Sequence, residues 1–288
     1  MNKMKLICTI FFIFFAFAVQ AKPSTVEPFF LETTLKKKKV SDVVKEISSK
    51  LEAKDQKIMR VLNFADVVRG QGVKNFSDYS IVLSCHSDEM QALVAKEPAL
   101  VNLLPCSIIV YDAGKGNVNV AIPSASAFAK AAGISPESKK LVEAEYARLQ
   151  KNLNLKLKAG PKVSLGEVYK EMDAGEGDLK EFNTILVSSL QGENLNVVFS
   201  QNYGDNMAAH FSCSASLGSQ ILKKMPQFGV FAPCRVGVFK KNDKIYVGMI
   251  QIREVIKSNQ ARIGKDAMKA ALDLDTSVKK ALKAATEE

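Results

Sequence analysis

Leu104-Pro105-Cys106-Ser107-Ile108-Ile109-Val110-Tyr111 is echoed by Ala232-Pro233-Cys234-Arg235-Val236-Gly237-Val238-Phe239. A shift of 128 superimposes the two without a gap, and it also sets Ser84 on Ser212, Cys85 on Cys213, Lys96 on Lys224 and Pro98 on Pro226. Cys85 and Cys106 are 21 positions apart, as are Cys213 and Cys234. The chain therefore reads as two homologous domains in tandem, each with its own cysteine pair.

Outward from each block the same elements recur. The block itself is a β-branched, apolar run suited to a buried strand. A turn at Ala113–Gly116 leads to a partner strand at Asn117–Ile122, and Lys241–Asp243 leads to Lys244–Ile250. Upstream, short helices end at Pro98 and Pro226, since proline cannot continue a helix. Before them come strands at Ile58–Phe64 and Tyr79–Ser84, and at Leu195–Phe199 and Met207–Ser212. Val40, Val43, Val44, Ile47 and Leu51 form one helix face, and Leu179, Phe182, Ile185, Leu186 and Leu190 form its counterpart. First strands are expected at Pro28–Leu35 and within Lys162–Met172. The order β-α-β-β-α-β-β, twice, predicts an α+β fold with an antiparallel sheet and helices on one face. Helical tails follow at Ser124–Leu155 and Lys265–Ala285. The expected domains are 22–155 and 163–288, with 156–162 as linker around Ala159-Gly160-Pro161.

Aligning Ile47 with Leu186 leaves 11 extra residues in the first repeat, read as a polar, glycine-containing loop from about Ala65 to Asp78. Long loops often carry function. A neutral surface insertion is the default reading; if the protein has one specific site rather than two, it is expected on the first repeat, with this loop and Arg69 at its rim.

The start of the chain reads as a targeting segment. Lys3 and Lys5 precede an apolar run of 14 residues, Leu6–Val19, and Val19-Gln20-Ala21 offers small residues for cleavage. That run is shorter than the ~20 residues of a spanning helix, and no later stretch is apolar enough to span. The expectation is a periplasmic protein, exported and cleaved after Ala21, with no membrane span thereafter. Net charge is +10, from 34 Lys and 6 Arg against 30 acidic residues. Arginine supplies the fork that reads phosphates and bases. A lysine-dominated excess points away from nucleic acid and toward solubility or loose contact with anionic surfaces.

With the strands ending at Cys85 and Cys213, the downstream prolines, the Pro-Cys blocks and the hairpins in view, the chain resembles the bacterial domain-of-unknown-function family 302, in two copies over nearly the whole mature length. Many members carry Gly-Asn-Pro or Cys-Asn-Pro where this chain has Ser84-Cys85-His86 and Ser212-Cys213-Ser214, so the resemblance implies nothing for that loop. It implies a compact α+β domain with a five-stranded antiparallel sheet, and no established activity.

Export permits disulfides, and the expected pairs are Cys85–Cys106 and Cys213–Cys234. A redox dithiol or a soft-metal site is the alternative, although a spacing of 21 is neither a redox CxxC nor a zinc-ribbon spacing. The two histidines, His86 and His210, both lie near a first cysteine, and Cys with His suits copper or zinc. They are not equivalent, because the shift of 128 sets His86 on Ser214 and His210 on Val82. His210 is also an odd number of positions from Cys213, which directs the two side chains to opposite faces of a strand. No cofactor is expected, copper or zinc being the minor alternative. No GxSxG occurs, and two histidines leave little material for hydrolytic catalysis. The first functional expectation is an exported, non-enzymatic binding or accessory protein for a small ligand or a periplasmic protein, held on the sheet faces or between the domains. The second is a periplasmic thiol-redox or copper-handling protein using the cysteine pairs with His86.

Overall fold

A computed structural model describes residues 25–85, 88–165, 168–257 and 263–287. Residues 1–21, read above as a targeting segment, and His86 lie outside the described residues.

The first repeat comprises β1 (Thr25–Pro28), β2 (Phe30–Lys36), α1 (Val40–Glu52), β3 (Lys57–Leu62), α2 (Phe64–Gly70), β4 (Tyr79–Cys85), α3 (Asp88–Lys96), the 3-10 helix η1 (Pro98–Asn102), β5 (Cys106–Gly114), β6 (Asn117–Pro123), α4 (Ala125–Ala131) and α5 (Pro136–Leu153). Then follow β7 (Lys158–Ala159), β8 (Lys162–Leu165), β9 (Tyr169–Glu176), α6 (Leu179–Gly192), β10 (Asn196–Asn202), β11 (Met207–Cys213), α7 (Ala215–Lys224), η2 (Pro226–Phe231), β12 (Cys234–Lys241), β13 (Lys244–Ile250), α8 (Ile252–Lys257) and α9 (Lys265–Glu287). The first sheet has the order β3-β4-β5-β6-β2-β7, and the second β10-β11-β12-β13-β9. Every pairing in both is antiparallel.

The helical periodicities fold as read. Val40, Val43, Ile47 and Leu51 are buried on α1, and Phe182, Leu186 and Leu190 on α6. Each sheet carries a bulge at the same place, between Ile58 and Arg60 in one and between Val197 and Phe199 in the other.

The expected first strand of the second repeat divides. Its early part, β8, leaves the sheet and pairs antiparallel with β1, Val26 opposite Ser164. The sheet strand proper is β9, along β13. Within 156–162, β7 adds to the free edge of β2, with Leu31 opposite Ala159. The segment read as a linker is thus pinned at both ends by backbone hydrogen bonds.

The sheet faces turned away from the long helices meet each other. η1 lies over β12 and β13, and η2 over β5 and β6. Phe231 packs at a tilt against Phe29 and Phe128, with ring centroids 4.4 and 4.7 Å away. Tyr79 donates its hydroxyl to the Pro226 carbonyl at 2.7 Å. Gly229 makes that possible, because a Cβ there would lie 1.8 Å from the Tyr79 hydroxyl oxygen. Arg235 donates to the carbonyl of Val101 at 3.0 Å and to the hydroxyl of Ser107. Ser107 and Arg235 stand 128 residues apart, the repeat shift itself. The halves therefore meet through equivalent positions around a local two-fold, as in an isologous dimer. The two cores merge into one, and the sheet faces are filled by packing.

The insertion expected as a polar loop contains α2. Phe64, Ala65 and Val68 are buried on it. Phe64, Phe76 and Tyr79 form an aromatic cluster with centroids 5.8 to 6.3 Å apart. Phe64 also reaches across to Gly218 of α7, where a Cβ would meet its ring at 3.0 Å. Arg69 closes the loop on itself by donating to Asp66 at 2.7 Å, Asp78 at 2.9 Å and the Phe76 carbonyl at 3.1 Å. The insertion braces one repeat against the other, and the guanidinium expected at a ligand rim is occupied within it.

Candidate functional site

On the second sheet, Ser200 of edge strand β10 stands directly opposite His210 of β11. The Ser200 hydroxyl lies 3.0 Å from His210 Nδ1. The other ring nitrogen, Nε2, lies 2.7 Å from Asn183 Oδ1, on α6. Asn183 Nδ2 donates to the Leu179 carbonyl at 2.8 Å, which turns its oxygen toward the ring. That arrangement assigns the proton to Nε2, donating to Asn183, and leaves Nδ1 to accept from Ser200. His210 is 4% exposed. Burial disfavours its cationic form and lowers its pKa to about 4, so the ring is neutral at ordinary pH.

His210 forms part of the floor of an open cleft of about 610 Å3 between α6 and the β10–β11 hairpin. Lys180, Thr184, Asn202 and Asp205 supply polar rim groups, and Val187 and Met207 apolar wall. The helix start on one side is fixed by Asp178, whose carboxylate accepts from the Glu181 amide at 2.8 Å. The opposite side is fixed by the Tyr203 amide donating to Met207 and by Lys240 donating to the Asn206 carbonyl.

The first repeat builds these three positions differently. With Ile47 and Leu186 equivalent, Asn183 falls on Val44 and Ser200 on Val61, and the shift of 128 sets His210 on Val82. Val61 and Val82 are cross-strand partners, as Ser200 and His210 are. Val82 is fully buried and Val61 is 42% exposed. A patch that is valine three times over in one copy is a hydrogen-bonded Ser-His-Asn chain in the other.

The cysteines do not form the expected bridges. Cys106 is a buried thiol outside any disulfide, and Cys213 and Cys234 are unbridged too. Register is the reason. Ser84 pairs with Cys106, and Ser212 with Cys234. Cys213 is thus one position past the residue that stands opposite Cys234, so the two are offset rather than directly opposed. Cys213 and Cys234 do line one small apolar cavity of about 50 Å3, beside Phe64 and Leu274. Burial pushes the Cys234 thiol up to about 12 and Cys213 higher still, the neighbouring Cys234 adding to the latter. Such thiols are poor nucleophiles. Among the described residues, no group of three or more His, Cys, Asp or Glu is placed to hold a metal ion, and no helix is long and apolar enough to cross a membrane.

The family model described as "Domain of unknown function DUF302" matches twice, over residues 31–155 and 180–285. The chain belongs to the DUF302 family. An uncharacterized protein of Aquifex aeolicus (strain VF5) is 31% identical over 119 residues, covering 40% of this chain and 82% of the relative. A crystal structure of an uncharacterized conserved DUF302 protein from Bacillus stearothermophilus is similar at 16% identity and a TM-score of 0.37, over 41% of this chain and 97% of that one. The first match spans β2 to α5, and the second spans α6 to α9, with β9 of the second sheet outside it.

Proposed function

We propose that the chain is an exported, non-enzymatic binding protein whose ligand site is the cleft over His210 in the second DUF302 repeat. The observation that carries this reading is the replacement of Val44, Val61 and Val82 by Asn183, Ser200 and His210 at matching positions, which sets Asn183 and His210 in the lining of a cleft of about 610 Å3. A core position converted to polar residues is unfavourable unless each group is satisfied. Here each of the three side chains is hydrogen-bonded, and the buried histidine forms part of the cleft floor. Neutral donors and acceptors beside Val187 and Met207, with one cation and one anion at the rim in Lys180 and Asp205, suit a small, partly apolar molecule of no net charge bearing hydroxyl or amide groups. The export half of the reading rests on the Lys3–Ala21 pattern.

Hydrolytic chemistry fits the geometry poorly. A base lowered to about 4 removes a serine proton weakly near neutrality. Its partner is an amide rather than a carboxylate, so an imidazolium formed there would lack a counter-charge.

The test is a thermal-shift screen of the secreted chain against neutral hydroxylated and amide-bearing small molecules, run beside N183V/S200V/H210V. That variant installs the first repeat's own residues and is expected to fold. Stabilisation of the wild type that vanishes in the variant supports the reading, and equal stabilisation of both overturns it.

A further inference from the structure

Arg235, the second residue of β12, lies in the interface between the repeats and is 6% exposed. A guanidinium has five N–H donors and keeps its charge in proteins. Its Nη1 donates to the Val101 carbonyl and its Nη2 to Ser107. Its Nε has no hydrogen-bond partner among the described residues. The ring of Phe211 lies 5.5 Å from the guanidinium carbon. The ionisable groups that sense the cation are Tyr146, Tyr203 and Cys106. No ion pair between Arg235 and a carboxylate occurs among the described residues. A buried charge without a counter-charge is among the most unfavourable arrangements a fold can hold.

Beside it is a cavity of about 30 Å3, lined by Arg235, the buried Asn102 of η1, and Phe228, Phe231, Met249 and Ile252. A single water needs roughly 10–15 Å3, so a space of about 30 Å3 admits a small ion. We propose that this cavity binds one monovalent, weakly hydrated anion, of which chloride is the physiological form, as the counter-ion of Arg235. The site is distinct from the cleft over His210, and a failure of either leaves the other standing. Apolar walls favour a halide that sheds its hydration readily. The guanidinium supplies charge, with Nε–H and the neighbouring Asn102 amide as the polar groups at hand. Because Asn102 comes from the first repeat and Arg235 from the second, an ion held there ties the repeats together.

The experiment is a sodium bromide soak of crystals of the mature chain, with anomalous diffraction at the bromine edge. It is paired with melting curves in sodium chloride, sodium bromide and sodium gluconate at equal ionic strength. The expected result is an anomalous peak within hydrogen-bond reach of Arg235 Nε, with a Tm that rises and saturates in either halide and not in gluconate. In Arg235→Met both the peak and the halide-specific rise are lost. Absence of a bromide peak in the wild-type cavity overturns the proposal without recourse to the variant.

Discussion

Arg235 hydrogen-bonds Ser107, the residue that occupies its own position in the other repeat. A duplicated domain meeting its copy around a two-fold must face each residue near the axis with its equivalent. Two long cations could not share that place, and the small Ser107 leaves room for one. Gly229 and Val101 are likewise equivalents under the shift of 128. One admits Tyr79 from the first repeat, and the other packs over Gly237 of the second. The duplication has therefore become asymmetric where symmetry would crowd it.

Ser107→Arg places a second guanidinium on the axis without a carboxylate. A buried charge left uncompensated costs about 3–5 kcal/mol. Urea denaturation should show a midpoint loss of that order, whereas Ser107→Ala, which removes one hydrogen bond, should lose about 1 kcal/mol.

Phe64 and Arg69 lie on the same short helix and should behave very differently. Phe64 is 5% exposed in the aromatic cluster beneath α7, so Phe64→Ala should cost about 3–5 kcal/mol. Arg69 pairs at the surface with Asp66 and Asp78, and Arg69→Ala should cost no more than about 1 kcal/mol. Comparable losses in thermal melts would show that the insertion is not a packed brace.

Acid sensitivity should trace to His210. Its folded pKa of about 4 lies below the ordinary histidine value of 6.5, so between those values the unfolded chain binds the extra proton. Stability is therefore full above pH 6.5 and declines as pH falls toward 4. The loss should reach about 3 kcal/mol at ~1.4 kcal/mol per pH unit. His210→Val should flatten that part of the stability-pH curve, and an unchanged slope would contradict the buried, neutral assignment.

Cys213 and Cys234 are thiols one register position apart. Melting temperature should not respond to dithiothreitol, and alkylation after unfolding should find both thiols by mass. A reductant-dependent melt or a missing pair of labels would restore the bridge.

Much of the architecture was legible because it rests on local periods. Val40-Val43-Ile47-Leu51 repeats at helical spacing, and the Cys106 and Cys234 strands are continuous apolar runs. The β1–β8 ribbon and β7 were not, since short segments choose partners far away in the chain and nothing local names the partner. In the insertion, Gly70 and Gly72 suggested a loop, while the buried Phe64, Ala65 and Val68 already spelled one helix turn. Cysteine spacing repeats faithfully but does not state register, and a single step of register decides whether two sulfurs can meet. The Ser-His-Asn chain escaped because its members align with the first repeat under different offsets. Set against Val82 alone His210 carries no signal; the signal appears only when Asn183 and Ser200 are matched to Val44 and Val61 as well.

The most direct measurement of the central claim is 15N NMR of the histidine rings in a chain with only two histidines. His210 should appear as the neutral Nε2–H form at pH 6, and its signals should move when a ligand found by thermal shift is titrated in. A His210 ring that is protonated at pH 6, or a ligand that shifts only the His86 signals, would contradict the account.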